Sequence, residues 1–258
     1  MTTPFRLIVC GPALLIGLYT LTAAAAAPVL PKDTYKKAAE ADIAQLQKHI
    51  ETSANDMTET KTEAKRFDPT AKSMAMMLAL YGEATGDAAL KEAALKVADE
   101  IGKKNYKAAG DLAKKLVAAP GAAPLKPADI HKLHKYDLAE VMSPFRGAKN
   151  GGLNIDRDIK DLLKKEMATK ADPVAIEILA GRTAILGEYM AYFPNEKAAI
   201  NPANKAKWEK WSKQTVELSK QLAEEATKGK GANERDMLGM LLKLNARCSD
   251  CHNAFRDD

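Results

Sequence analysis

Apolar residues recur every three or four positions along most of this chain, and nowhere do they alternate over the length of a strand. In the first half Tyr35, Ala39, Ile43, Leu46 and Ile50 form one such stripe, which predicts a helix turning this face to a core. A second helix is predicted after Pro69, rich in Met74, Met76, Met77, Leu78 and Leu80 and ended by Gly82 and Gly86. Two more fit residues 87–103 and 105–119. The second half repeats the pattern over 128–142, ended by Ser143 and Pro144, then a short helix over 155–168 after Gly151 and Gly152. It continues over 172–192, closed by Phe193 and Pro194, and over 203–228, with Trp208, Trp211, Thr215, Leu218 and Leu222 at spacings of three and four. The last helix is expected from Asn233 to Phe255, with Met237, Leu241, Leu244, Cys248, Cys251 and Phe255 on its buried face.

Between the halves lies residues 120–127, with three prolines and a glycine, which cannot be helix. It predicts a linker between residues 28–119, a helical bundle without a cofactor motif, and residues 128–258. The expected fold is all-α: two tandem antiparallel helical bundles. Composition agrees. Alanine, lysine, leucine and glutamate dominate the 258 residues, and aromatics make up only 5 %. The formal charge of +5 is small and interleaved, which argues against a nucleic-acid partner. The clustered methionines of the second helix read as core filler rather than metal ligands. His49 reads as a surface or capping residue.

Residues 1–27 read as an export signal. One positive charge lies in Met1 to Arg6, Leu7 to Leu21 is apolar, and Ala23 to Ala27 supplies small residues for cleavage near Ala26 or Ala27. The apolar core is short for a span that needs roughly 20 residues. After cleavage no anchor is expected, and the chain would be periplasmic or otherwise exported. Cys10 leaves with the signal, so Cys248 and Cys251 are the only cysteines of the mature chain.

Those two cysteines stand in Cys248-Ser-Asp-Cys251-His252. A structural zinc site needs about four ligands, and here there are three on one helix. A thioredoxin-like dithiol would follow a strand, and none is predicted. A disulfide across two helical residues is strained. Covalent attachment of one haem c satisfies the pattern: each thiol adds to one vinyl group, and His252 ligates the iron from the proximal side. Export and an otherwise cysteine-free mature chain point the same way.

The motif sits at the end of the final helix, followed by Phe255 and Arg256. With Tyr192-Phe193-Pro194 closing one helix and Trp208 early in the next, residues 128–258 resemble cytochrome c′ and the other four-helix-bundle c-type cytochromes. The resemblance implies a haem within the bundle, bound by Cys248 and Cys251 with His252 on the iron, and Arg256 near the haem edge. Trp208 would line the haem pocket or the core. The resemblance also implies that a residue of the first bundle helix faces the far side of the iron. Met142 stands in the comparable stretch and would give a six-coordinate iron suited to electron transfer, although Ser143-Pro144 departs from the family's continuous helix. His131 and His134 are rival ligands. An open site would instead bind small gases such as NO or CO.

The leading expectation is therefore an exported single-electron carrier that meets redox partner proteins, with a five-coordinate gas-binding haem protein as the alternative. No set of residues suggests an enzyme. The first bundle could dock partners or pair with a second copy of the chain.

Overall fold

A computed structural model of the chain describes residues 30–56, 62–119, 136–164 and 172–255. No strand occurs among the described residues, and ten α-helices pack together. They are α1 (Lys32–Asp56), α2 (Thr62–Thr85), α3 (Ala88–Gly102), α4 (Tyr106–Ala113), α5 (Leu138–Met142), α6 (Ile155–Leu162), α7 (Pro173–Tyr192), α8 (Glu196–Ala199), α9 (Pro202–Ala226) and α10 (Glu234–Phe255). The expected export segment 1–27, the linker 120–127, His131, His134 and Arg256 lie outside the described residues.

Most helix starts follow from local chemistry. Asp87 accepts from Leu90 N at 2.9 Å and opens α3, and Asp137 and Glu140 form a reciprocal capping box at α5. Asp172 and Asn201 each cap a helix whose first residue is proline, Pro173 in α7 and Pro202 in α9. Several boundaries differ from expectation: α5 starts only at Leu138, and α6 ends at Leu162, short of the expected 168. Helix α2 starts at Thr62 and carries Pro69 inside it, although proline forfeits a hydrogen bond there. Tertiary contacts override that cost: Phe67 packs edge-on against His49 at 5.0 Å, and Asp68 accepts from the Tyr106 hydroxyl. Gly82 lies within α2 rather than ending it. An added Cβ there would come within 2.6 Å of Asp87 O, so the glycine lets the start of α3 close down on α2. Helix α4 stops at Ala113, so residues 114–119, expected to be helical, run on in turn and extended form.

Helix α7 occupies the middle of the molecule. Ile176, Leu179, Ala180, Ala184, Ile185, Leu186 and Tyr189 are all buried along it, and it packs extensively against α9 and also against α1. Small residues set these distances. A Cβ on Gly181 would meet the Ala38 side chain at 2.9 Å, and one on Gly187 would meet Val216 at 3.0 Å. One contiguous hydrophobic core runs from α1 to α10, and a second, smaller cluster surrounds Trp208 and Phe255.

Polar groups also cross from α1 to the second half. Thr34 Oγ1 donates to Glu177 Oε1 at 2.8 Å, and Lys37 Nζ donates to Glu177 Oε2 at 2.6 Å. Further along α1, the fully buried Asp42 accepts from Arg182 Nε at 2.8 Å and from the Tyr81 hydroxyl at 3.0 Å. His49 corrects an expectation. It is not a surface or capping residue; only 2 % of it is exposed. Its ring nitrogens lie 2.9 Å from Gln45 O and 2.9 Å from Gly151 O, so it fastens α1 to the turn before α6. Burial holds its pKa below the ordinary histidine value.

Glu188 of α7 gives this core a pH dependence. Burial, and then the Glu83 carboxylate of α2, push its pKa from 4.5 up to about 7. Glu83 is itself paired with Lys91 of α3 at 3.0 Å, and Tyr35 and Tyr192 face Glu188 electrostatically. The native state holds this proton more tightly than the unfolded chain. Stability is therefore fully present below the unfolded value and is lost as pH rises from about 4.5 to about 7. Glu188→Gln is expected to leave the melting temperature nearly unchanged at about pH 4. At about pH 8 it should raise it by several degrees, equivalent to at most about 2 kcal/mol. Thermal unfolding at both pH values reads the difference, and equal shifts at the two would contradict it.

Candidate functional site

Helix α10 presents the cysteines because its apolar stripe continues to the end of the chain's described part. Asn233 opens it, accepting from Arg235 N at 3.1 Å, while Met237, Leu241, Leu244 and Phe255 are buried. Cys248 and Cys251 fall on this stripe but are half-buried, which is more open than the fully buried face expected for them. His252, four residues after Cys248, is also half-buried. Residues three and four apart share one face of a helix, so both thiols and the imidazole project to the same side of α10.

The end of α10 is firmly held. Phe255 packs edge-on against Trp208 at 5.4 Å and against Trp211 at 5.7 Å. Asn195 Nδ2 donates to Phe255 O at 2.8 Å, which satisfies one of the orphan carbonyls of the last turn. Trp208 is buried and its indole N–H donates to Met190 O. Around this pair the structure gathers Met190 of α7, Ala198 of α8, Leu138 and Met142 of α5, and Cys251 itself. Met142, the expected distal ligand, and Cys251 thus border one apolar, aromatic cluster although 109 positions separate them in sequence. Helix α5 does end at Met142, and Ser143–Phe145 continues it as a single tighter turn containing Pro144.

On its other side Cys248 faces α6. Burial raises its pKa to about 11, with Asp156 adding to the rise and Lys160 opposing it. Cys251 is likewise raised to about 11, by burial and then by Cys248. Both groups are neutral thiols near pH 7. A redox-active dithiol needs a depressed pKa, and these surroundings push the opposite way.

The donor set is compatible with haem: two thiols one helical turn apart, an imidazole beside them, and an apolar, aromatic wall that includes a thioether. Leu138 shares the helix face of Met142 in the sequence, whereas Met190 and Ala198 were not singled out. Both are ordinary apolar residues, and only packing distinguishes them. Neither a protein-family model, nor a curated protein, nor a solved structure matches the chain, and the chemistry of the site rests on its own residues.

Proposed function

We propose that this chain is an exported c-type cytochrome that carries one covalent haem and passes single electrons between redox proteins, rather than an enzyme. The observation that carries the reading is the meeting of Cys251, Met142, Trp208 and Phe255 in one cluster at the Cys-x-x-Cys-His end of α10. Bound haem would supply a one-electron Fe(III)/Fe(II) couple. In this reading Cys248 and Cys251 hold the porphyrin by thioether bonds, and His252 offers its imidazole to the iron. Met142 offers its thioether from α5, which favours the ferrous state and raises the potential. Trp208 and Trp211 would keep water from that side. The reading places α5, α7, α9 and α10 in a haem-bearing bundle of the cytochrome c′ type, with α1–α4 as a second bundle in tandem. Residues 1–27 direct export to the periplasm. No helix among the described residues is long and apolar enough to cross a membrane.

A gas-binding protein with five-coordinate iron is the second reading. It is favoured by the half-buried position of Met142 at the very end of a five-residue helix, which Ser143 and Pro144 cut short. The test uses the full chain, produced in a host that exports it and attaches haem. A pyridine haemochrome spectrum establishes thioether-bound haem, and the ferrous spectrum is then followed on adding carbon monoxide. A low-spin spectrum unmoved by the gas is expected. Met142→Ala should turn it high-spin and gas-binding; a wild-type protein that already binds the gas promptly establishes the second reading.

A further inference from the structure

Proline cannot continue a helix, so Pro194 stops α7 and brings the chain in extended form to Asn195. On the way Phe193 N donates back to Met190 O at 3.2 Å. The half-buried Asn195 then uses both ends of its side-chain amide. Its Oδ1 accepts from Ala198 N at 2.8 Å and caps α8. Its Nδ2 donates to Phe255 O at 2.8 Å, on the last turn of α10. Serine, aspartate and asparagine cap a helix about equally well, so the cap alone does not call for an amide; the bond to α10 does. Phe255 lies one helical turn beyond His252 and Cys251 and on their face. Its ring contacts with Trp208 and Trp211 are apolar and weakly directional, whereas a hydrogen bond fixes an angle as well as a distance.

Cys248, Cys251 and His252 all ride on α10, so that helix and whatever they carry move as one body. The roll of α10 about its own axis therefore sets how closely that body approaches Met142 on α5. Side-chain ends lie about 5–6 Å from a helix axis, so a roll of about 10° carries them roughly 1 Å. An error of about 1 Å is enough to spoil a placed ligand. Asn195 stands between Met190 and Ala198, and both belong to the cluster against which Leu138, Met142 and Cys251 pack. We infer that Asn195 is a positioning residue: its amide pins the cysteine end of α10 to this wall and so holds the Met142 thioether within reach of the iron. The inference rests on the proposed haem with Met142 as its distal ligand.

The experiment uses the haem-loaded full chain and Asn195→Ser. Serine keeps the cap on α8 and adds no charge, but it is too short to reach Phe255 O. Neither cysteine is touched, so the variant keeps its haem. It is expected to lose most of the weak red absorption band of ferric iron bound to a thioether. Its ferrous form should bind carbon monoxide at least about tenfold faster than the wild type, the scale expected for removing an outer support of a metal ligand. In a Met142→Ala background the same change should alter that rate by less than about twofold, because Asn195 acts through the thioether. Asp172→Ala removes the cap at the other end of α7 and should lower the melting temperature with the band unchanged. If Asn195→Ser lowers only the melting temperature, the positioning role is overturned and the haem reading stands. An equal acceleration with and without Met142 overturns it in the same way. A wild-type chain that binds the gas at once takes Met142 off the iron and removes this inference with the first reading; a chain without haemochrome removes both readings.

Discussion

Cys248→Ala together with Cys251→Ala is expected to abolish covalent haem completely. If the export signal is removed as proposed, these are the only thiols of the mature chain, so no other side chain can add to a porphyrin vinyl group. The imidazole of His252 and the thioether of Met142 would remain, but such ligation is reversible and does not survive denaturation. The readout is therefore haem that stays with the polypeptide on a denaturing gel, and the polypeptide mass. Each single substitution should leave one thioether bond and one unreacted vinyl group, visible as a shifted haemochrome band. The fold itself should change little in the haem-free chain. Both cysteines are half-buried, and the end of α10 is held by Phe255 and Asn195 rather than by either thiol. Haem persisting on the denatured double variant would sink the attachment site.

Asp42→Ala is expected to cost about 3 kcal/mol of stability, because it removes the carboxylate paired with the Arg182 guanidinium in the α1–α7 interface and leaves only the electrostatic influence of Asp158 to offset that charge. Asp42 is fully buried and takes bonds from Arg182 and from Tyr81, so its removal also orphans a tyrosine hydroxyl. Arg182→Met should cost a similar amount by leaving a buried carboxylate. Combining Asp42→Ala with Arg182→Met should cost clearly less than the two single changes added, since the desolvated charges disappear together. Denaturant unfolding of the three variants measures this coupling. Strict additivity would show that the pair contributes nothing beyond its separate packing.

Much of the helical layout was legible because its punctuation is local. Asp172-Pro173 and Phe193-Pro194 bracket α7, and Asn201-Pro202 opens α9 within one residue of the reading. Pro69 misled, because the packing of Phe67 and Asp68 against residues from other helices outweighs proline's local penalty. The polar seam that joins α1 to α7 and to the turn before α6 was invisible for a different reason. Thr34, Asp42 and His49 recur every seven or eight residues on one side of α1, but they are polar, and a search for apolar periodicity passes over them. Of the site, Cys248, Cys251 and His252 declare themselves by spacing, whereas the wall around them is assembled from α5, α7, α8 and α9. Met190 and Ala198 carry no mark of that role until the chain is folded.

Gly181 and Gly187 are six positions apart on α7, and each removes the cushion that a side chain would place between two helices. Backbone then rests nearly on its neighbour, so the spacing of α1, α7 and α9 is fixed like that of laminated beams rather than of parts joined through springs. Met190 and the Trp208 that it anchors sit at the end of this stack. If the chain carries haem as proposed, a stiff mount of this kind would keep the surroundings of the iron from shifting between oxidation states.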